Sequence, residues 1–101
     1  MGLLDFIFGA KKHEVHTFLK SGAIILDVRT QREWDNGHIE NSKHIPLNDL
    51  HNHVKELKQM NKSFVVCCES GVRSAKAAKF LNLNNIEATN GGGWKSLRNK
   101  L

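Results

Sequence analysis

The chain has 101 residues, of which 40% are hydrophobic and 25% charged, and it carries a formal net charge of +5 at pH 7. This length allows one domain with a hydrophobic core of its own and leaves too little chain for two. The composition is typical of soluble globular proteins and excludes disordered, collagenous and membrane-embedded chains.

The positive charge does not follow the pattern of a nucleic-acid-binding protein. The lysines are dispersed, there is no tyrosine, and no aromatic residues alternate with basic ones. Recognition of unpaired bases relies on such aromatic residues, so we expect no nucleic-acid partner. A mild positive field still attracts small anions.

The chain starts with a short apolar segment, MGLLDFIFGA, followed by two lysines. A secretory signal places its basic residues first, and a membrane-spanning helix needs about 20 apolar residues, so the segment fits neither. We interpret residues 1–12 as an N-terminal apolar segment that packs on the protein. The alternative is a shallow anchor at a membrane surface. The side chains of such an anchor are Leu3, Leu4, Phe6, Ile7 and Phe8.

We expect the folded domain to comprise residues 13–101. Along it, stretches with the hydrophobic pattern of helices alternate with stretches typical of strands. Apolar residues spaced by three and four predict helices at 13–20, 48–60, 72–81 and 94–101, and capping signals predict a short helix at 30–37. Short apolar runs predict buried strands at 23–28 and 63–68, and residues 42–47 and 86–90 are predicted as two weaker or shorter strands. Three glycines after the last strand predict a turn.

Local signals mark the ends of several elements. Thr30 is placed to cap the second helix, Glu33 completes a capping box, and Gly37 ends the helix. Asn48 is placed to cap the third helix. Pro46 suits the end of a strand near the edge of a sheet.

The alternation of strands and helices predicts an α/β fold, in which a parallel sheet is flanked by helices on both faces. In such sheets, ligands bind beyond the carboxyl ends of the strands. One predicted strand ends in Cys67 and Cys68, the two cysteines of the chain. A disulfide between neighbouring cysteines is strained, so we expect free thiols and a reducing, cytoplasmic location.

The two cysteines are expected to have different roles, because adjacent side chains of a strand face opposite ways. Cys67 extends the apolar run and is predicted to pack in the core. Cys68 is the candidate catalytic nucleophile, because loop amides, the positive end of the next helix and a guanidinium favour its thiolate. The loop that we predict to bind the substrate comprises Glu69, Ser70, Gly71, Val72, Arg73 and Ser74.

The pattern Cys-x-x-Gly-x-Arg-Ser after a hydrophobic strand resembles the active-site loop of the single-domain rhodaneses, a family of sulfurtransferases. Three further stretches follow that family in order, namely LDVRTQREWDNGHI (26–39), HIPL (44–47) and NGGGW (90–94). The resemblance extends from about residue 13 to the end of the chain. It implies the rhodanese-like fold, with a five-stranded parallel sheet flanked by helices, and a cysteine that carries sulfane sulfur as a persulfide.

These residues predict a thiosulfate sulfurtransferase-like enzyme. The Cys68 thiolate would attack the outer sulfur of a small anionic donor such as thiosulfate, and sulfite would leave. The resulting persulfide would pass its terminal sulfur to cyanide, a thiol or a protein acceptor. Arg73 would contribute charge, either directly to the anion or by holding the loop. We expect a monomer that needs no metal and no cofactor.

Glu69 departs from this pattern. A carboxylate beside the nucleophile repels a dianion and raises the pKa of the thiol unless it points to solvent, as we expect of a loop residue. Thiosulfate turnover is therefore open to question, and a thiol persulfide or a protein is an alternative donor.

Two other functions remain open. Counted from Cys67, Arg73 completes the Cys-x5-Arg spacing of cysteine-dependent phosphatases and arsenate reductases, although Gly71 fits the sulfurtransferase loop when counted from Cys68. The third possibility is a non-enzymatic rhodanese-like module that delivers sulfur or binds a partner. An intact Cys68 argues against an inactive module.

The remaining polar residues are predicted to be structural. We expect Asp27 to accept hydrogen bonds from loop amides, and Arg29 to pair with Glu33 four residues on. Trp94 is predicted to fill the core. His38 is read as a structural residue, and the histidines as a whole lack a thiol or carboxylate at the spacing of metal ligands.

Overall fold

The computed structural model describes residues 10–101, in which a parallel sheet lies between two layers of helices. The helices are α1 (Ala10–Lys20), α2 (Gln31–Asp35), α3 (Val54–Gln59), α4 (Val72–Leu83) and α5 (Trp94–Arg98), with a 3-10 helix at Leu47–His53. The strands are β1 (Ile24–Asp27), β2 (Lys43–His44), β3 (Phe64–Cys68) and β4 (Ala88–Gly93). The predicted α/β class is confirmed. The sheet order is β2-β1-β3-β4, so the described part has four strands where the resemblance implies five.

Most of the predicted N-terminal apolar segment, residues 1–12, lies outside the described residues. Its predicted packing on the protein and the alternative of a membrane anchor lie outside them too. The first described helix, α1, begins at Ala10 and so extends the helix predicted at 13–20 backwards. Between residues 10 and 101, no helix is both long and apolar enough to cross a bilayer.

The central strand, β3, is buried along its whole length. Because its side chains alternate, it contributes to two separate hydrophobic cores. Phe64, Val66 and Cys68 pack on the face that α3, α4 and the 3-10 helix cover. Val65 and Cys67 pack on the face that α1 and α5 cover. The two neighbouring cysteines therefore lie on opposite faces of the sheet, as predicted.

The short helix α2 begins at its predicted cap. Thr30 Oγ1 accepts a hydrogen bond from the Glu33 amide at 3.3 Å, and Glu33 Oε1 accepts one from the Thr30 amide at 3.0 Å. This reciprocal pair is the predicted capping box, and it satisfies two main-chain amides at the start of the helix. Gly37 follows the helix with a φ of 136°, a conformation that favours glycine.

The stretch between β2 and α3 differs from its prediction. Asn48 does not cap an α-helix, because a 3-10 helix begins directly after Pro46. The Asp49 amide donates to the Pro46 carbonyl at 2.9 Å, which starts a tight three-residue turn. Asparagine, aspartate and histidine are weak α-helix formers, and the α-helical part starts only at Val54.

The three glycines near the end of the chain continue β4, and their predicted turn is wrong. Val66 pairs with Asn90 but Cys67 pairs with Gly92, so Gly91 is the extra residue of a bulge. A Cβ atom at Gly91 would lie 2.7 Å from a methyl group of β3. Glycine is therefore required here because β4 packs closely against its neighbour.

Candidate active site

Cys68 ends β3, and its thiol lies beneath the loop that leads into α4. The amides of Gly71 and Ser74 donate hydrogen bonds to Cys68 Sγ at 3.0 and 3.4 Å, and Ser74 Oγ lies 3.3 Å from Sγ. Gly71 has a φ of 104°, a left-handed conformation that turns the chain back towards the sulfur before α4 begins. The loop thus directs several donors at one sulfur atom.

These donors change the ionisation of Cys68. Burial raises the pKa of the thiol, but hydrogen bonds from the Ser74 side chain and from the amides of Ser74, Gly71 and Ser70 together outweigh it. The pKa of Cys68 lies below its ordinary value of 9.0 as a result. Burial raises the pKa of Cys67 to about 12. Of the two thiols, Cys68 is the one that ionises more readily.

Asn90 connects this loop to β4. Its Oδ1 atom accepts hydrogen bonds from Ser74 Oγ at 2.7 Å and from the Gly92 amide at 2.9 Å, and its Nδ2 atom donates to the Gly71 carbonyl at 3.1 Å. The Ser74 hydroxyl has one hydrogen, which it donates either to Asn90 or to the Cys68 thiolate, so ionisation of Cys68 competes with the bond to Asn90. Asn90 was not predicted as a site residue, although its position at the start of NGGGW is a signal for it.

The sulfur of Cys68 is enclosed. Both cysteines have an exposed fraction of 0%, whereas the side chains of Glu69, Ser70 and Val72 are exposed. Within the loop that is predicted to bind the substrate, the amides of Gly71 and Ser74 are bonded to Sγ itself. In this conformation, the loop therefore covers Sγ.

Arg73 connects the loop to α2. Its guanidinium donates hydrogen bonds to both carboxylate oxygens of Glu33, at 2.6 and 2.9 Å. These bonds are the main reason why the pKa of Glu33 falls to about 2. Of the two roles predicted for Arg73, the observed contacts fit the one that holds the loop.

Arg29 has a different partner from the one predicted. Its Nε and Nη2 atoms donate to the Asp27 carboxylate at 3.0 and 2.8 Å, and both residues are buried. The Arg29 amide also donates to Asp27 Oδ1, in line with the prediction of an amide partner. The predicted ion pair with the Glu33 carboxylate is wrong, because a buried guanidinium needs a buried carboxylate and Arg73 occupies Glu33.

Glu69 has partners that offset its charge. The indole Nε1 of Trp94 donates to Glu69 Oε1 at 3.3 Å, and Arg29 Nη1 lies 4.0 Å from the same oxygen. The side chain of Glu69 is 54% exposed, in agreement with the expected orientation towards solvent. Trp94 is buried, as predicted, and its ring centre lies 4.5 Å from Arg29 Cζ.

A cleft of about 280 Å³ opens beside the loop, where β1, β3 and β4 end. Its lining residues are Arg29, Glu33, Asn36, Glu69, Trp94, Lys95 and Arg98. A wider cleft of about 500 Å³ lies at the opposite edge, where the strands begin, and no cysteine lines it. Parallel sheets bind ligands beyond the carboxyl ends of their strands, so the smaller cleft is the better candidate for a binding site.

Metal-ligating residues do not cluster in the described part of the chain, where no group of three or more histidine, cysteine, aspartate or glutamate side chains is placed to hold a metal ion.

The order of motifs, the fold and the Cys68 loop all agree with one family. The family model described as Rhodanese-like domain matches residues 11–100. The chain belongs to the rhodanese-like domain family. This result confirms the resemblance drawn from the sequence motifs, and the rhodanese-like fold with it.

Relatives of this rhodanese-like protein include sulfur-handling proteins. The putative sulfur carrier protein YrkF of Bacillus subtilis (strain 168) is 38% identical over 55 residues, which cover 54% of this chain and 29% of YrkF. The thiosulfate sulfurtransferase GlpE of Stutzerimonas stutzeri (strain A1501) is 29% identical over 68 residues, which cover 67% of this chain and 62% of GlpE. The chain spans less than two thirds of the length of the curated relatives that it matches.

A solved structure shares the fold over almost the whole described chain. The crystal structure of a rhodanese-like domain protein from Staphylococcus aureus superimposes with a TM-score of 0.71 and 31% sequence identity. The match covers 87% of this chain and 86% of the other. The arrangement of sheet and helices described above is therefore the one found in the family.

Proposed function

We propose that this rhodanese-like protein is a sulfurtransferase that carries sulfane sulfur as a persulfide on Cys68. The observation that supports this function best is the convergence of the Gly71 and Ser74 amides on Cys68 Sγ. These bonds favour the thiolate, which is the nucleophilic form of cysteine. They are among the reasons why the pKa of Cys68 lies below its ordinary value.

In the loading step, the Cys68 thiolate attacks the outer sulfur of a donor such as thiosulfate. A bond forms between Sγ and that sulfur, the sulfur–sulfur bond of thiosulfate breaks, and sulfite leaves with the electron pair. The negative charge then lies on the terminal sulfur of the persulfide. The amides of Ser70, Gly71 and Ser74 stabilise it there after a small shift of the loop.

In the transfer step, cyanide or a thiolate attacks the terminal sulfur. The bond between the two sulfur atoms breaks, and Cys68 leaves as the thiolate with which the cycle began. Cyanide becomes thiocyanate, and a thiolate becomes a new persulfide. We assign donor binding to residues 69–74 as a unit, with Arg73 holding the loop in place through Glu33.

The cellular setting is also part of the proposal. Free thiols at both cysteines suit a reducing, cytoplasmic compartment, where thiols are kept reduced. We propose that the protein acts there as a monomer, without a metal or cofactor.

A sulfur-delivery role is a second candidate. The relative YrkF is named as a putative sulfur carrier, and this name supports a delivery role. Phosphatase or arsenate reductase chemistry has less support. Its Cys-x5-Arg spacing starts from Cys67, which packs against Trp94 and Leu97 on the face opposite to the loop.

Intact-mass measurement after incubation with thiosulfate tests the proposal. We expect the protein to gain one sulfur atom, and Cys68→Ser to gain none, because serine forms no persulfide. Cys67→Ala is the matched control, and it should still take up sulfur because its side chain faces the other core. Sulfur uptake by a folded Cys68→Ser variant would refute the assignment. Loading by a cysteine persulfide but not by thiosulfate would favour the delivery role.

A further inference from the structure

The cleft beside the loop has a basic rim, formed by Lys95 and Arg98. Both side chains are exposed and lie three residues apart on α5, so they share one face of the helix. They flank the Trp94 ring, with Lys95 Nζ at 5.7 Å and Arg98 Cζ at 4.9 Å from its centre. Within residues 10–101, neither forms an ion pair with a carboxylate.

The other charged groups of the cleft already have partners. The Glu33 carboxylate is paired with Arg73, and the Arg29 guanidinium is paired with Asp27. The exposed carboxylate of Glu69 offsets one positive charge at most. The basic rim therefore leaves this end of the sheet with surplus positive charge.

The basic rim is part of a surface wider than the cleft. Residues 90–101 contain three basic residues and no acidic one. On the loop side, Val72 is 63% exposed, and a Cβ atom at Gly71 would lie 3.3 Å from the Gly92 Cα atom, so the loop directly adjoins the end of β4. A cleft of only about 280 Å³, with two exposed cations on its rim, fits the side chains of a docked protein segment better than a large ligand.

From these features, we propose that the sulfur acceptor is a protein segment whose cysteine is flanked by aspartate or glutamate residues that dock on Lys95 and Arg98. The inference rests on the proposed sulfurtransferase function and names the partner class of the same site. The acceptor thiolate attacks the terminal sulfur, the bond from that sulfur to Cys68 Sγ breaks, and Cys68 regains its thiolate. Opposite charges speed the encounter of the two proteins.

The test uses the full chain loaded with persulfide and three peptides that share one cysteine but carry aspartate, serine or lysine on both sides of it. Single-turnover transfer is followed by the loss of one sulfur atom from the intact mass of the protein. We expect the aspartate peptide to react about tenfold faster than the serine peptide at low salt, because charge steers association. The advantage should shrink as ionic strength rises.

A pair of double variants checks the surface. Lys95→Glu with Arg98→Glu should abolish or invert the preference for the aspartate peptide. The matched control, Lys58→Glu with Lys62→Glu, makes the same change of charge at the opposite edge of the sheet and should keep the preference. Circular dichroism verifies that both double variants are folded, as expected for exposed side chains.

The outcomes separate this inference from the function on which it rests. Equal rates with the three peptides, or an unchanged preference after reversal of the basic rim, would overturn it. An equal advantage of mercaptosuccinate over mercaptoethanol would also overturn it, because the basic rim would then select small anions. Failure of Cys68 to load with any sulfur donor is a different result, since it refutes sulfur transfer itself.

Discussion

Two opposing effects act on the proton of Cys68. Burial disfavours a thiolate because a charge is poorly solvated inside a protein, and at Cys67 this effect raises the pKa to about 12. At Cys68, hydrogen bonds to the sulfur reverse the direction of the shift. Both residues have an exposed fraction of 0%, but Cys67 is surrounded by more protein, and only Cys68 has hydrogen-bond donors directed at its sulfur.

The first prediction concerns the pH dependence of Cys68. Its folded pKa lies below 9.0, so the rate of persulfide loading should rise with pH up to that pKa and then level off. The ionised form also stabilises the fold above the ordinary pKa, and this contribution is lost as the pH falls through the folded pKa. The ultraviolet absorbance of the thiolate, compared between wild type and Cys68→Ser, measures the midpoint. A midpoint at 9.0 or above would contradict the prediction.

The side chains around the sulfur were only partly predictable. Local spacing identifies Cys68 and Arg73, because both belong to one loop of the sequence. The partner of Arg73 is Glu33, which lies 40 residues away in the sequence. The i, i+4 spacing instead predicted that Glu33 forms an ion pair with Arg29. Asn90 is likewise brought to the loop from another strand. Partners from distant segments depend on how the strands are ordered, which local spacing does not contain.

At the scale of single elements, α2 depends on its ends. It has five residues, none of them buried, and isolated helices shorter than about 12 residues are marginal in water. Two main-chain amides at its start, those of Thr30 and Glu33, find hydrogen-bond acceptors in the capping box. The same Glu33 carboxylate binds Arg73, so one side chain both starts a helix and holds the loop over the thiol.

The second prediction separates these two tasks of Glu33. Glutamine also completes a capping box but offers Arg73 no charge, so Glu33→Gln should lower the free energy of unfolding by about 1 kcal/mol. Glu33→Ala also loses the side-chain half of the capping box and should be less stable than Glu33→Gln by about a further 0.5 kcal/mol. Urea denaturation at pH 7 measures both differences.

The pH dependence of stability tests whether the ion pair with Arg73 causes the difference between wild type and Glu33→Gln. The pKa of Glu33 is lowered from 4.5 to about 2, so its ion pair stabilises the fold above pH 4.5 and is lost as the pH falls towards 2. The difference between wild type and Glu33→Gln should shrink over that range. A constant difference would show that the ion pair is not its source.

The elements themselves were predictable to different degrees. Apolar periodicity located the helices and strands, and the capping signal at Thr30 is confirmed. The glycines of β4 were misread, because a glycine looks the same in a turn and in a bulge. Position 91 requires glycine because a Cβ atom there would lie only 2.7 Å from a side chain of β3. That close approach exists only after the strands pair.

At the scale of the whole molecule, the sheet divides the interior into two cores that share β3. One core lies under α3 and α4, and the other under α1 and α5. The family motifs predicted this layered arrangement, and the comparison with the Staphylococcus aureus structure supports it. Because β3 also ends in Cys68, the strand that connects both cores carries the candidate nucleophile.

The third prediction compares two leucines of α4. Leu81 has an exposed fraction of 0% and packs in the core beneath α4, so Leu81→Ala should lower the free energy of unfolding by about 2–5 kcal/mol. Leu83 lies two residues on and is 75% exposed. Leu83→Ala should change stability by no more than about 0.5 kcal/mol. Equal effects of the two substitutions in urea denaturation would contradict the position of α4 on the sheet.

The placement of the two sulfur atoms on opposite faces of the sheet also determines how the protein responds to peroxide. A thiolate that is oxidised to a sulfenic acid is normally rescued when a second thiol condenses with it. Cys67 is the only other cysteine of the chain, and the central strand keeps it on the far side from Cys68. Within this domain, no thiol is therefore placed to rescue a sulfenic acid at Cys68, so we expect its reversal to depend on a thiol or reductase supplied from elsewhere.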